Sequence, residues 1–126
     1  MVSFLKQRQR TFSQFEITNM LLRAKTEDLK LSAIEKLTLV TLSAFANDQT
    51  LACYPSNAYL AEVVGCAERS IIRATKKLEE LEYIRKTKWR DGVSSSMRNG
   101  YVIIPENFPA EFGRLLPEAG GNVTHI

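Results

Sequence analysis

Between Pro55 and Leu81 two helical patterns follow one another with only a few residues between them. That spacing leaves few ways to fold, because two short helices joined so closely must cross, and each needs further elements to bury its apolar face. In the first pattern, Pro55-Ser56-Asn57-Ala58-Tyr59-Leu60-Ala61-Glu62-Val63-Val64-Gly65, Ser56 reads as an N-cap and Gly65 as a C′ residue, which predicts about two to three turns. In the second, Ile71, Ala74, Leu78 and Leu81 step by three, four and three, an apolar stripe along a helix from about Glu68 to Leu81. Arg69, Arg73, Lys76, Lys77 and Glu80 lie off that stripe.

The flanking segments supply the rest of a small core. Leu31-Ser32-Ala33-Ile34-Glu35 carries Ser three residues before Glu, the capping-box pattern in which each side chain takes a free backbone N–H of the first turn. Ile34, Leu37, Val40 with Thr41, and Ala44 with Phe45 then recur at helical steps, which predicts a helix of about 15 residues, buried on that face and ending near Asn47-Asp48. Asn47 to Tyr54 reads as a turn region. After Glu82 the period shortens to two: Tyr83-Ile84-Arg85-Lys86-Thr87-Lys88-Trp89, then Asp91-Gly92 and three serines, then Tyr101-Val102-Ile103-Ile104 before Pro105. This predicts a β-hairpin with a long polar loop. Residues 1–30 read as a basic arm (Lys6, Arg8, Arg10) and a packing segment, residues 31–104 as the main domain, and residues 105–126 as closing contacts followed by a tail or linker start.

Composition matters chiefly for what it excludes. The 126 residues are 44% hydrophobic and 25% charged, enough apolar material for one folded domain rather than a disordered chain. No apolar run approaches the ~18 residues of a membrane span, and the start lacks a secretory h-region, so the expected location is cytoplasmic and no membrane partner is expected. Cys53 and Cys66 have no metal-ligand spacing, and His125 is the one histidine. Buried or half-buried free thiols, no metal and no cofactor are expected. Without a phosphate loop, a paired metal motif or a nucleophile beside a histidine base, the chain does not read as an enzyme. The net charge of +3 hides its own distribution. Arg85 to Arg98 holds five basic residues and one acid, a local +4, which leaves the remainder near −1.

Two crossed helices, a longer helix before them and a basic hairpin after them have one specific physical reading. The second helix is held across the first with one face outward, so it can enter a major groove about 12 Å wide while the first helix lies over the backbone. Ala61 is small where the helices approach, Gly65 permits the turn, and Ile71 and Ala74 fasten the second helix to the core. On this reading Glu68, Arg69, Ser70, Arg73, Lys76 and Lys77 are the recognition-helix candidates. Ser56 and Asn57 sit at the first helix's N-terminus, where backbone N–H groups can meet phosphate. Lys86, Lys88, Arg90 and Arg98 form the candidate basic surface of the hairpin.

Taken together, Tyr54-Pro55-Ser56, Leu60-Ala61, Gly65-Cys66-Ala67-Glu68-Arg69-Ser70-Ile71, Lys77-Leu78-Glu79-Glu80-Leu81 and Ile84, with Asn99 two residues before Tyr101, resemble the winged helix–turn–helix domains of plasmid and phage replication-initiation proteins. The resemblance spans roughly Leu31 to Ile104. It implies an α+β fold, a three-helix core with a C-terminal β-hairpin wing, and sequence-specific binding of double-stranded DNA at replication-origin repeats. A homodimer and replication proteins are the further partners it implies. Plasmid-maintenance or transcriptional regulation by the same domain is the first alternative, and a winged-helix protein–protein module the second. The sequence departs from the family at Ala67, where Ser or Thr is usual; the missing cap costs about 1 kcal/mol, partly offset by Glu68 in the first turn. Glu68 is also open to two roles beside DNA, accepting from a cytosine amino group or orienting Arg69 or Arg73.

Each candidate also has a plainer reading. The α-helical cations fit a solvated face, the hairpin cations fit edge-strand charges that block strand addition, and Trp89 fits packing better than a wedge between bases. The helix–turn–helix frame and the local charge favour DNA for Arg69, Arg73 and the hairpin cations. One of Lys76 and Lys77 is expected to face solvent or pair with Glu80.

Overall fold

A computed structural model describes residues 13–90 and 97–109, with backbone alone at 89, 90, 97 and 98. The basic arm (Lys6, Arg8, Arg10), the hairpin turn from Asp91 through the serines, and the tail with His125 lie outside the described residues. Along the chain run α1 (Gln14–Arg23), α2 (Thr26–Leu29), α3 (Ala33–Phe45), β1 (Ala52–Cys53), α4 (Asn57–Val64), α5 (Glu68–Glu80), β2 (Ile84–Arg90) and β3 (Met97–Ile103), then a 3₁₀ turn at Pro105–Asn107. The three strands form an antiparallel sheet in the order β1-β3-β2. The fold is an α+β winged helix–turn–helix.

Two capping boxes start the N-terminal helices. Ser32 and Glu35 exchange bonds with each other's backbone N–H at 3.2 and 2.8 Å, as the Ser-x-x-Glu pattern predicts. Ser13 and Glu16 do the same for α1. α1 lies antiparallel to α3: Gln14 Nε2 donates to the Ser43 carbonyl near the end of α3, while Lys36 near its start donates through Nζ to the carbonyls of Leu22 and Ala24 at the far end of α1. The packing segment expected before residue 31 is therefore helical, and its Ile17, Met20 and Leu21 enter the common core.

The face of α3 expected to be buried is largely the exposed one. Ile34 and Leu37 are 40% and 42% exposed, and Ala44 and Phe45 also face solvent, whereas Thr38, Leu39 and Leu42 are fully buried. α3 is central, contacting α1, α4, α5 and the sheet. An element packed on several sides carries no single apolar stripe for the period to reveal. Burying Thr38, Thr41 and Ser43 is tolerated because each hydroxyl donates to a carbonyl within its own helix, at 2.7–2.8 Å.

The turn region hides a strand. Asn47 Oδ1 accepts from the Gln49 and Thr50 N–H groups, folding the loop tightly, and Ala52 and Cys53 then pair with Val102 and Tyr101. β3 starts at Met97 rather than Tyr101, so the hairpin ladder is longer than the apolar run that marks its base. At the other end Tyr83 ties the layers together: its hydroxyl donates to the Leu29 carbonyl at 2.9 Å, and its ring meets Phe108 edge-on at 5.3 Å.

Cys53 is buried and Cys66 half-buried, and both are free. Burial pushes the Cys53 thiol up to about 12 from its ordinary 9.0. Below pH 9 the thiol is neutral in folded and unfolded chains alike. Between 9 and about 12 only the unfolded chain ionises, so stability falls by roughly 1.4 kcal/mol per pH unit. The buried Tyr83 phenol, raised above 10.0 by desolvation, adds a loss of the same sign at higher pH. Urea midpoints at pH 8 and 10.5 should therefore fall by the equivalent of about 2 kcal/mol in the native protein and by clearly less in Cys53→Ala. Equal losses in the two would remove the thiol as the cause.

Candidate nucleic-acid interface

The crossed helices are set by their ends. Ser56 Oγ accepts from the Tyr59 N–H at 3.0 Å and starts α4. Gly65 ends it with φ +87°, a left-handed conformation that costs a side-chain-bearing residue. The N–H groups of Gly65 and Cys66 both donate to the Ala61 carbonyl, at 2.8 and 3.0 Å, closing the turn. α5 then begins at Glu68, with Ala67 at the N-cap and no side-chain cap, as the sequence indicates. What holds α5 is burial: Ile71, Ala74, Thr75 and Leu78 face inward, against α3 and α4, while Leu81 is only half-buried.

With that face inward, Arg69, Arg73 and Lys76 stand exposed along the outward side of α5, at positions i, i+4 and i+7. Ile72 is exposed among them, at 53%. Ser70 and Lys77 are half-buried on the flank, apart from this row. Glu68 is exposed on another side of the first turn. It lines a concavity of about 300 Å³ together with Ser56 and Asn57 from the start of α4 and Asn99 and Tyr101 from β3. This brings the N-termini of α4 and α5 to one place beside the wing.

The wing's base continues that concavity outward. Lys88 pairs with Asn99 and Lys86 with Tyr101 across the ladder, and directly opposed residues extend from one face of a sheet. Lys86, Lys88 and Asn99 are exposed. Arg90 and Arg98 belong to the same strands, in register with Met97 and Trp89, and their side chains lie outside the described residues.

The junction between wing and helices depends on Gly100. A Cβ there would fall against Cδ1 and Cε1 of Tyr54 and 2.7 Å from the Cys53 carbonyl oxygen. Only a residue without a side chain lets the Tyr54 segment, which leads into Ser56, lie so close to β3.

Two residues of this surface escape a reading based on charge. Ile72 directly follows Ile71 and merges with the core stripe unless the phase of the helix is fixed. Asn99 is visible as a motif residue but carries no charge, and only the fold brings it beside Glu68. Among the described residues no His, Cys, Asp or Glu cluster is arranged to hold a metal, and no helix is long and apolar enough to cross a membrane.

Residues 29–84 match the family model described as a helix-turn-helix domain, a little under half of the chain. The matched region runs from the end of α2 to the first residue of β2, so the chain carries a helix–turn–helix domain, with the rest of the wing beyond the match. No curated protein matches the chain. Similar solved structures include a protein described as a possible transcriptional regulator from Methanosarcina mazei Go1, at 13% identity and a TM-score of 0.49, covering 72% of this chain and 68% of that one. A mutant of MepR from S. aureus bound to an oligodeoxyribonucleotide is similar at 15% identity and a TM-score of 0.49, covering 81% and 70%. The adhesin competence repressor of Streptococcus pyogenes is similar at 19% and 0.47, covering 79% and 66%. None of these three is described as a replication initiator.

Proposed function

We propose that this domain binds double-stranded DNA sequence-selectively, with α5 in the major groove and the β2–β3 wing on the flanking backbone. The observation that carries the reading is the joint exposure of Arg69, Arg73 and Lys76 on α5 with Lys86 and Lys88 on the wing, on either side of the paired N-termini of α4 and α5. Phosphate neutralisation by the wing cations supplies affinity without selectivity, and the α5 row supplies base contacts. Ser56 and Asn57 offer backbone N–H groups to a phosphate at the start of α4. Glu68, on the side of α5 toward the wing, fits the orienting or cytosine-accepting role better than a phosphate contact, which its charge opposes. Arg90 extends the basic face of Lys86 and Lys88 on this reading, whereas Arg98, opposite Trp89, belongs to the other face of the wing and adds charge from there.

Regulation of transcription or plasmid maintenance is the role that asks least of these surfaces, since occupancy of a site is sufficient. Origin recognition, favoured by the motif resemblance, needs replication proteins as partners in addition. Selection from a random duplex pool, followed by mapping of the recovered sequence in its parent genome, tests both levels. A promoter site supports the regulator, and repeated sites in an origin support the initiator. Recovery of no preferred sequence overturns sequence selectivity, and recovery of no duplex at all leaves the protein–protein module in its place.

A further partner is read as a second copy of the chain. Phe15, Leu22, Ile34, Leu37, Phe45, Tyr59 and Val63 are all 40–71% exposed, on α1, α3 and α4. Thr18 of α1 bonds Ser43 of α3, and Phe45 meets Tyr59 of α4 at 5.7 Å, so the three helices present these groups side by side. Their exposed area is roughly 600 Å², taking about 150–250 Å² for each large side chain, against about 800 Å² per partner in a stable interface. An isologous dimer would cover it and place two α5 helices on one duplex. Leu37→Asp should convert a dimer to a folded monomer in sedimentation at micromolar concentration. A native chain that sediments as a monomer under the same conditions removes this reading.

A further inference from the structure

Ile72 is the one apolar side chain in the outward row of α5, and nothing in the fold accounts for it. It is 53% exposed, while its neighbour Ile71 is fully buried and anchors the helix. Arg69 precedes it by three residues, Arg73 follows directly, and Lys76 stands four further on; all three are exposed. On the helix surface Glu68, Arg69 and Lys76 are its neighbours at i−4, i−3 and i+4, while Arg73 lies one residue round the helix. The large exposed apolar groups of α1, α3 and α4 belong to other elements, whereas Ile72 is the one large exposed apolar group of α5, set among charged residues. The half of that branched side chain left in water is apolar surface that folding does not cover. Its fifth place in α5 is within the N-terminal part of a recognition helix that reaches base edges.

We propose that Ile72 reads a thymine in the major groove by packing on its C5-methyl group. This rests on the DNA-binding reading above and gives it a chemical specificity that the basic residues cannot supply. In the major groove the methyl group is the apolar feature that sets a T·A pair apart, and an aliphatic side chain is its natural contact. Arg69 and Arg73, flanking Ile72 in the same row, prefer the O6 and N7 acceptors of guanine. The selected sequence should therefore hold a thymine within a step or two of a guanine.

Deoxyuridine differs from thymidine only by that methyl group, and it isolates the contact. The selected duplex is prepared with each thymine replaced singly by deoxyuridine, and binding is measured for the native protein and for Ile72→Ala. The native protein should lose about four-fold in affinity at one or two thymine positions, the worth of one buried methyl group. Ile72→Ala should bind the unmodified duplex several-fold more weakly, show no further loss at those positions, and keep the native salt slope because no cation is removed. A thymine-to-uracil loss that persists in Ile72→Ala would overturn the proposal, as would a native protein indifferent to every replacement. Absence of any duplex binding would overturn it together with the DNA-binding reading.

Discussion

Replacing Gly100 with alanine is expected to lower the unfolding free energy by about 3 kcal/mol, at the upper end of what an added methyl group costs in a packed site. The new Cβ would meet the Tyr54 ring on one side and the Cys53 carbonyl at 2.7 Å on the other. A flexible side chain could swing away, but the carbonyl belongs to β1, whose Cys53 is held in register with Tyr101. β1 and β3 must therefore separate or the wing must tilt. The double variant Tyr54→Ala, Gly100→Ala should recover part of the loss attributable to the ring and none of that due to the carbonyl, a coupling measurable from denaturant midpoints. A stability change below about 0.5 kcal/mol for Gly100→Ala would mean that the wing base is not seated against the segment leading into α4.

The second large effect concerns selectivity rather than stability. Arg73→Ala should cost about 1–3 kcal/mol on the preferred sequence and little on random duplex, because a bidentate base contact is lost. Arg69→Ala should act similarly. Both side chains are exposed, off the buried stripe of Ile71, Ala74 and Leu78, so thermal unfolding should change by no more than about 0.5 kcal/mol. Competitive binding of preferred and scrambled duplexes measures the difference directly. Equal losses on the two duplexes would reassign both residues to phosphate contacts.

These expectations also mark where the sequence was readable. α4 and α5 were legible nearly to the residue because their signals are local: Ser56 caps, Gly65 turns, and Ile71, Ala74 and Leu78 keep one phase. The capping box of α3 was legible for the same reason, yet its buried face was not, since contacts with elements distant in sequence decided which residues point inward. β1 is two residues long and exists through pairing with Val102 and Tyr101, nearly fifty positions away. Its existence is a tertiary fact. The same holds for the site. Arg69 and Arg73 announce themselves by charge and Ile72 follows from the phase of α5, whereas the approach of Asn99 to Glu68 and the need for Gly100 arise only when wing and helices are packed together.

The central claim is that two cationic surfaces, one on α5 and one on the wing, meet the same duplex. The most direct test is the salt dependence of binding to a random-sequence duplex, followed by fluorescence anisotropy, for the native protein and for Lys86→Ala, Lys88→Ala. About five phosphate contacts predict a log–log slope near −4 to −5 for the native protein, shallower by roughly two in the double variant. No binding at low salt, or a slope that the double variant leaves unchanged, would contradict it.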